Sequence, residues 1–220
     1  MNPTLGDVHR YTHAAPRRLL DELARVFPPE HFARLAHERF PFYRTTFWHP
    51  LERPAQNVFE AIAESVAPLA APSPRVTGVE WWFSVTETNA SPQWLLPCHF
   101  DRADLAEQDF AKIRHPERAS VLFLNAVPYG ELVVTDQVNT DAGARPRQPH
   151  DMVFIRPRRN LYAVFPGHLY HGVIGRLWRP ERETVLRITM AINWWAEPPK
   201  ADYLRDSREC FEAFGLAAPG

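Results

Sequence analysis

The sequence predicts a mainly β domain of the sandwich or jelly-roll type, preceded by helices. Before residue 75, apolar residues recur at helical spacing, whereas short runs rich in Val, Ile, Phe, Trp and Thr alternate with polar loops from Val76 onward. The 22 prolines against 9 glycines divide the chain into short segments, which suits strands better than a helical bundle. The 220 residues fit a single domain. We expect helical support over 1–75, a β core over 76–196 and a tail over 197–220.

Three helices are expected in the first third of the chain. Their apolar faces comprise Leu19, Leu20, Leu23, Val26 and Phe27; then Phe32, Leu35, Ala36 and Phe40; and then Val58, Phe59, Ile62 and Val66. Pro29 is well placed to begin the second helix, and the proline-rich stretch 68–74 should end the third. These helices are interpreted as packing support.

Eight strands are expected in the β core, at 79–86, 94–98, 120–127, 131–135, 152–155, 161–165, 171–174 and 184–195. No helical pattern intervenes, which favours a sandwich or jelly roll. Two long polar loops, 102–118 and 139–151, interrupt the series. Such loops on a β scaffold commonly carry binding and gating functions.

Composition argues against several function classes. The formal charge is −1 with acids and bases interspersed, so nucleic acid is not an expected partner despite the local cluster of Arg156, Arg158 and Arg159. No apolar run approaches the roughly 18 residues of a membrane span, and the N-terminus does not resemble a signal peptide. Cys98 and Cys210 form no metal or disulfide motif, which favours the cytoplasm.

The phrase WLLPCHFDRAD places His99 and Asp101 one residue apart at the end of an apolar strand, so both side chains can turn toward one metal ion. Imidazole and carboxylate suit Fe(II), and one more histidine would complete a face of two histidines and one carboxylate. The motif alone is weak, since a chance match is expected on the order of once in two such chains. The downstream phrase NLYAVFPGHLYHGVIG offers His171, with His168 as its rival.

The phrase ETVLRITMAINWW is a strong strand in which Arg187 and Thr189 share one face. A buried arginine in so apolar a strand is costly unless it meets an anion, and a dicarboxylate could accept its guanidinium in a bidentate contact. Arg176 and Arg182 are rivals for this role, but the charged loop around them favours solvent exposure.

Taken in order, the His-x-Asp, Phe-Pro-Gly-x-x-x-His-Gly-Val and Arg-x-Thr motifs resemble the 2-oxoglutarate/Fe(II)-dependent dioxygenase superfamily over residues 79–195. The resemblance implies a double-stranded β-helix, which is a cupin-like jelly roll. It also implies His99, Asp101 and His171 as iron ligands, with Arg187 and Thr189 holding 2-oxoglutarate. Where related hydroxylases often have Gly-Gly-Pro-Thr, this chain has Pro128-Tyr129-Gly130-Glu131.

The function implied by the resemblance is hydroxylation of an unactivated C–H bond in a small-molecule, amino-acid or peptide-type substrate, consuming O2 and releasing succinate and CO2. Desaturation or ring closure are related outcomes, whereas the carboxylate of Asp101 argues against halogenation. Three alternatives stay open: a cupin-type metal enzyme that does not use 2-oxoglutarate, a non-catalytic jelly-roll binding module, and nucleic-acid dealkylation. The sequence leaves the oligomeric state open.

Other conspicuous residues have structural interpretations. His115 matches a His-x-acid pattern but is expected in a surface loop, and Cys98 is expected to be a buried structural cysteine. The pairs Trp81-Trp82 and Trp194-Trp195 are expected to pack in the core.

Overall fold

A computed structural model describes residues 5–88, 94–104, 107, 112–140, 143–175 and 185–217. The helices are α1 (Arg17–Val26), α2 (Pro29–His37), α3 (Val58–Ala70) and α4 (Cys210–Ala213). The strands are β1 (His9–Thr12), β2 (Thr46–Pro50), β3 (Gly78–Glu87), β4 (Trp94–His99), β5 (Arg118–Phe123), β6 (Leu132–Thr140), β7 (Gly143–Arg145), β8 (Met152–Ile155), β9 (Leu161–Pro166), β10 (Leu169–Ile174), β11 (Leu186–Trp195) and β12 (Leu204–Asp206).

The strands form two sheets, as the sequence predicts for a jelly roll. The larger, seven-stranded sheet has the order β1-β9-β5-β11-β3-β2-β12, and the smaller has the order β4-β10-β6-β7 with β8 also paired to β6. Strand pairs are antiparallel except for β12 and β2. The described residues therefore confirm the mainly β, double-stranded β-helix fold.

The helices cover one face of the larger sheet, and side-chain alternation along β3 determines which residues meet them. Trp81 and Phe83 are buried against this helical layer, where Phe59 of α3 stacks on Trp81 at a ring-centroid distance of 5.0 Å. Glu80 and Trp82 alternate onto the opposite face, toward the space between the sheets. The same alternation places Arg187 in that space.

The third helix begins as capping rules predict and ends within the expected proline-rich stretch 68–74. The Asn57 side chain accepts a hydrogen bond from the backbone N–H of Glu60 at 2.9 Å, which satisfies a free donor of the first turn. The helix passes Pro68 and ends at Ala70. Because Pro68 lies in the last turn, its missing N–H removes one hydrogen bond without interrupting a long helix.

Three strands of the larger sheet were not predicted. β1 is mostly exposed and lacks apolar alternation, β2 is a five-residue segment, and β12 has three residues. Each is recognisable only through its partner in the sheet, because its local pattern is too short. The terminal regions thus contribute strands as well as helices. Within the described residues, no helix combines the length and apolar character needed to cross a membrane.

A buried ionic group joins β2 to α3 and predicts a pH-dependent stability. His49 Nδ1 lies 3.4 Å from Glu60 and its Nε2 lies 3.0 Å from Glu64, while Arg53 bridges Glu60 and Asp206. Burial opposes charge on both partners. Hydrogen bonds with Glu60 and Glu64 nevertheless raise the pKa of His49, and the bond with His49 helps lower the pKa of Glu60 to about 2.

The ion pair of His49 and Glu60 should stabilise the fold most between about pH 4.5 and 6.5. Glu60 contributes above its ordinary pKa of 4.5 and loses this contribution as the pH falls toward 2, whereas His49 contributes below 6.5 and loses it as the pH rises through its elevated pKa. Glu60→Gln should lower the free energy of unfolding by about 3 to 5 kcal/mol and flatten the acid limb. Urea unfolding measured from near neutral pH down toward the lowered pKa of Glu60 tests this prediction, with exposed Glu52→Gln as control. Equal acid limbs for Glu60→Gln and the unsubstituted protein would contradict it.

Candidate metal site

Strand pairing brings the two candidate histidine ligands together. In the register of β4 against β10, His99 lies directly opposite His171, and their ring centroids are 4.6 Å apart. Asp101 follows β4 by two residues, so its carboxylate reaches the same point. His171 Nε2 lies 3.4 Å from Asp101 Oδ2, and His99 Nε2 lies 3.7 Å from Asp101 Oδ1.

Each imidazole is oriented by its own strand. His99 Nδ1 lies 2.9 Å from the Pro97 carbonyl oxygen, and His171 Nδ1 lies 3.0 Å from the Leu169 carbonyl oxygen. A protonated Nδ1 donating to these carbonyls leaves both Nε2 atoms free to bind a metal. Burial lowers the pKa of His171, which favours the neutral, metal-binding form despite the opposing charge of Asp101.

The donor set fits a divalent first-row metal such as Fe(II). One ligand atom from each of His99, Asp101 and His171 lies within 4.8 Å of the others. Two imidazoles and one carboxylate can occupy one face of an octahedral ion, leaving three positions for other ligands. The arrangement therefore has the chemistry expected of a facial triad.

His115 also reaches this cluster, contrary to the expectation of a surface loop. It is half-buried, and its Nδ1 lies 2.6 Å from the main-chain oxygen of Asp101. The backbone N–H of Ala103 donates to the Arg114 carbonyl at 2.9 Å and closes the same loop. These contacts fix the segment that carries Asp101. Sequence spacing gave no sign of them, because they join positions fourteen residues apart.

Gly172 allows β4 and β10 to approach closely. A Cβ atom at this position would lie 2.9 Å from the Cα, backbone N and Sγ of Cys98. Cys98 is half-buried and lines the cavity, where burial raises the pKa of its thiol to about 11. The cysteine is thus less enclosed than expected, and glycine is required opposite its backbone.

Gly172→Ala is expected to destabilise the protein by about 1 to 3 kcal/mol, because backbone atoms of Cys98 must shift to admit the methyl group. It should also weaken metal binding, since the same two strands carry His99 and His171. Thermal unfolding and Fe(II) titration measure the two effects. Adding Cys98→Ala should not restore either property, and full rescue would show that only the thiol limits the approach.

Arg187 is a fully enclosed cation on β11. Its side chain is 1% exposed, donates from Nε to the Gly130 carbonyl at 2.8 Å, and donates from Nη1 to Thr189 Oγ1 at 3.3 Å. Its guanidinium carbon lies 5.1 Å from the centroid of the Phe123 ring. Burial lowers the pKa of Arg187 to about 10, with Glu131 opposing the change. The group therefore stays charged at neutral pH, where an anion would stabilise it further.

Gly130 lies in the turn Pro128-Tyr129-Gly130-Glu131, immediately before β6. Its backbone has a φ of +85°, and an added Cβ would lie 2.7 Å from Arg187 Cδ. The turn therefore leaves room for the arginine and supplies its carbonyl acceptor. A glycine just before a predicted strand is the sequence signal that marks this position, but its contact with Arg187 depends on the sheet-to-sheet packing.

One cavity of about 560 Å³ joins the residues predicted for metal and co-substrate. Its lining includes His99, Asp101, His171, Arg187 and Thr189. Apolar side chains between the two sheets form much of the remaining wall, among them Leu132, Val121 and Phe165.

The other candidates that the sequence offers for the metal and anion sites are not found among the described residues of those sites. His168 is a half-buried residue between β9 and β10, outside the described cluster of ligand atoms. Arg176 and Arg182 lie outside the described residues. Trp81, Trp194 and Trp195 are buried as expected, but Trp82 is only half-buried and lines the cavity.

The fold places the chain among double-stranded β-helix proteins. Solved structures of similar fold include AviO1 from Streptomyces viridochromogenes, with 13% identity, a TM-score of 0.52, and coverage of 90% of this chain and 93% of that one. A Pseudomonas putida prolyl-4-hydroxylase has 16% identity, coverage of 87% and 89%, and a TM-score of 0.46. HygX from Streptomyces hygroscopicus, solved with nickel and 2-oxoglutarate, has 13% identity, coverage of 88% and 83%, and a TM-score of 0.47. No protein-family model matches this chain, and neither does a curated protein.

Proposed function

We propose that this chain is an Fe(II)- and 2-oxoglutarate-dependent oxygenase that hydroxylates an unactivated C–H bond of a small-molecule, amino-acid or peptide-derived substrate. The observation that carries the proposal is the presence of two complementary groups in one cavity. The cluster of His99, Asp101 and His171 supplies ligands for a metal, and the buried guanidinium of Arg187, which donates to Thr189 Oγ1, supplies donors for an anion.

In this function, His99 and His171 bind iron through Nε2 while their Nδ1 atoms remain held by main-chain carbonyls. Asp101 supplies the carboxylate, and His115 holds the Asp101 backbone in place. Bound iron with O2 supplies the oxidation: one oxygen atom enters succinate as CO2 leaves 2-oxoglutarate, and the other enters the substrate C–H bond.

Arg187 binds the distal carboxylate of 2-oxoglutarate through its guanidinium, and Thr189 adds a hydroxyl beside it. The Gly130 carbonyl fixes the arginine Nε, so that the terminal nitrogens can face the ligand. The apolar wall around them limits water near the reacting C–H bond. This division of roles explains why a buried arginine lies in an otherwise apolar strand.

The test is anaerobic reconstitution with Fe(II) and 2-oxoglutarate, followed by addition of O2 and a screen of metabolites and peptides. We expect succinate and CO2 together with products heavier by one oxygen atom, labelled when ¹⁸O2 is used. Product formation without succinate would instead indicate a cupin-type enzyme. Absence of metal binding would favour a non-catalytic binding module.

A further inference from the structure

The inner face of the larger sheet carries polar groups at two separate ends. The pairing of β11 with β3 sets Arg187 opposite Thr86 at one end, and Asn193 opposite Glu80 at the other. The six residue-to-residue steps from Arg187 to Asn193 span roughly 20 Å of extended chain. Both ends line the same cavity, so an anion held at Arg187 leaves the Glu80 end available for another ligand.

Glu80 is a nearly enclosed carboxyl group in an apolar strand. It is 5% exposed, and its Oε2 accepts a hydrogen bond from the indole N–H of Trp195 at 3.1 Å. Burial raises the pKa of Glu80 to about 7, and the charge of Asp101 adds to the rise. A cationic ligand would favour its ionised form.

A second polar group at this end, the Thr46 hydroxyl, is buried beside Glu80 without a hydrogen bond of normal geometry in the part of the chain that the structure describes. Thr46 is 3% exposed, and its buried Oγ1 has no partner of normal hydrogen-bond geometry among the described residues. A looser hydrogen-bonding contact between the Thr46 hydroxyl and the Glu80 carboxyl opposes the rise in the pKa of Glu80. Both side chains line the cavity, together with Asn193 and Tyr203. Buried polar groups normally have partners, so this arrangement points to a bound ligand.

The charge balance favours a cation. The formal charges of Fe(II), 2-oxoglutarate, Asp101 and Arg187 cancel, which leaves the carboxylate of Glu80 without compensation from that group. Arg102 also lines the cavity. Both Arg102 and Glu80 are among the residues that the structure describes, and they form no ion pair with each other. Burial raises the pKa of Tyr203 to about 12, and the charges of Glu80 and Asp101 add to the rise while that of Arg102 opposes it.

We propose that Glu80, Thr46 and Asn193 bind a primary amine of the substrate as its ammonium ion. This inference rests on the proposed oxygenase function, because it assigns the substrate class of the same cavity. The three N–H donors of the ammonium ion match the oxygen acceptors of these three side chains. Trp82 lines the cavity between this end and Arg187, where the carbon skeleton of the amine would lie. The substrate would thus be a small amine, with its oxidised carbon held near the metal.

The test compares ligands of equal carbon-chain length that differ in one group. Anaerobic protein loaded with Fe(II) and 2-oxoglutarate is titrated calorimetrically with hexylamine, hexan-1-ol and N-hexylacetamide at neutral pH. Hexylamine should bind at least about tenfold more tightly than either neutral probe, because only it forms charge-assisted hydrogen bonds with Glu80. Equal binding of the three probes, or no amine-selective binding, would overturn the proposal.

Glu80→Gln provides the residue-specific test. Its amide oxygen can still accept the Trp195 hydrogen bond, while its negative charge is removed. We expect hexylamine to lose about tenfold or more in affinity and hexan-1-ol to change by less than about threefold. Glu52→Gln makes the same chemical change at an exposed position and serves as the matched control. Unchanged amine selectivity in Glu80→Gln would contradict the assignment.

Failure of this inference can be separated from failure of the proposed function. The same preparations are titrated with Fe(II) and 2-oxoglutarate before any probe is added. If both bind but amine selectivity is absent, only the amine site is wrong. If neither binds, the proposed oxygenase function is wrong, whatever the probes do.

Discussion

His171→Ala is expected to lower Fe(II) affinity by more than about 100-fold. Substitution of residues that merely support metal ligands often costs about 10- to 100-fold, and loss of a ligand should cost more. His99→Ala and Asp101→Ala should have comparable effects, because the three ligand atoms lie in one cluster. Anaerobic titration with Fe(II) measures the affinities, and circular dichroism checks that each variant is folded.

His168→Ala is the matched control because it removes a second, half-buried histidine from the same β9–β10 region. Its Fe(II) affinity should remain close to that of the unsubstituted protein. If iron binding instead survives His171→Ala and disappears in His168→Ala, the ligand assignment is wrong.

Arg187→Leu is expected to raise the 2-oxoglutarate concentration required for half-maximal succinate formation by about 30-fold to several thousand-fold. Removing one partner of a buried charge pair costs about 2 to 5 kcal/mol, which corresponds to that range. Fe(II) binding should change little, because Arg187 lies outside the cluster of ligand atoms. Co-substrate titration at saturating Fe(II) gives the comparison.

Arg182→Leu distinguishes Arg187 from one of the two rival arginines that the sequence offers for the same role. It should leave the 2-oxoglutarate requirement nearly unchanged. A large effect of Arg182→Leu, combined with an unchanged requirement in Arg187→Leu, would move the anion-binding role to Arg182.

The main fold could be predicted because its signals are local. Apolar alternation and turn residues indicated β3 and β11, and helical spacing indicated α1 to α3. The short strands β1, β2 and β12 were missed, since a few residues with little alternation acquire strand geometry only by pairing with a neighbour. Their positions depend on tertiary structure.

The candidate site was predictable where a motif holds neighbouring residues. His99 and Asp101 are close in sequence, while His171 joins them through the register of β4 and β10. His115, expected in a surface loop, is half-buried because it contacts the Asp101 main chain, and sequence patterns do not show a contact between positions fourteen residues apart. Gly130 likewise acquires its role only when β11 brings Arg187 against it.

The place of Glu80 has a signal in the sequence, although Glu80 belongs to none of the recognised motifs. It is an acidic residue within the apolar strand β3, on the same face as Trp82 and Ser84. Alternation therefore places a carboxyl group toward the interior. Its nearness to Thr46 and Asn193 comes from the adjacent strands β2 and β11 and could not be predicted from β3 alone.

The most direct measurement of the proposed function is succinate formation by anaerobically reconstituted protein after O2 is admitted. Slow, substrate-independent conversion of 2-oxoglutarate should require Fe(II), O2 and the unsubstituted protein together. Succinate formation should be abolished in Asp101→Ala. The separate variant Arg187→Leu should form succinate only at high 2-oxoglutarate concentration. Succinate formation that persists in Asp101→Ala, or its absence from the iron-loaded unsubstituted protein, would contradict the proposed function.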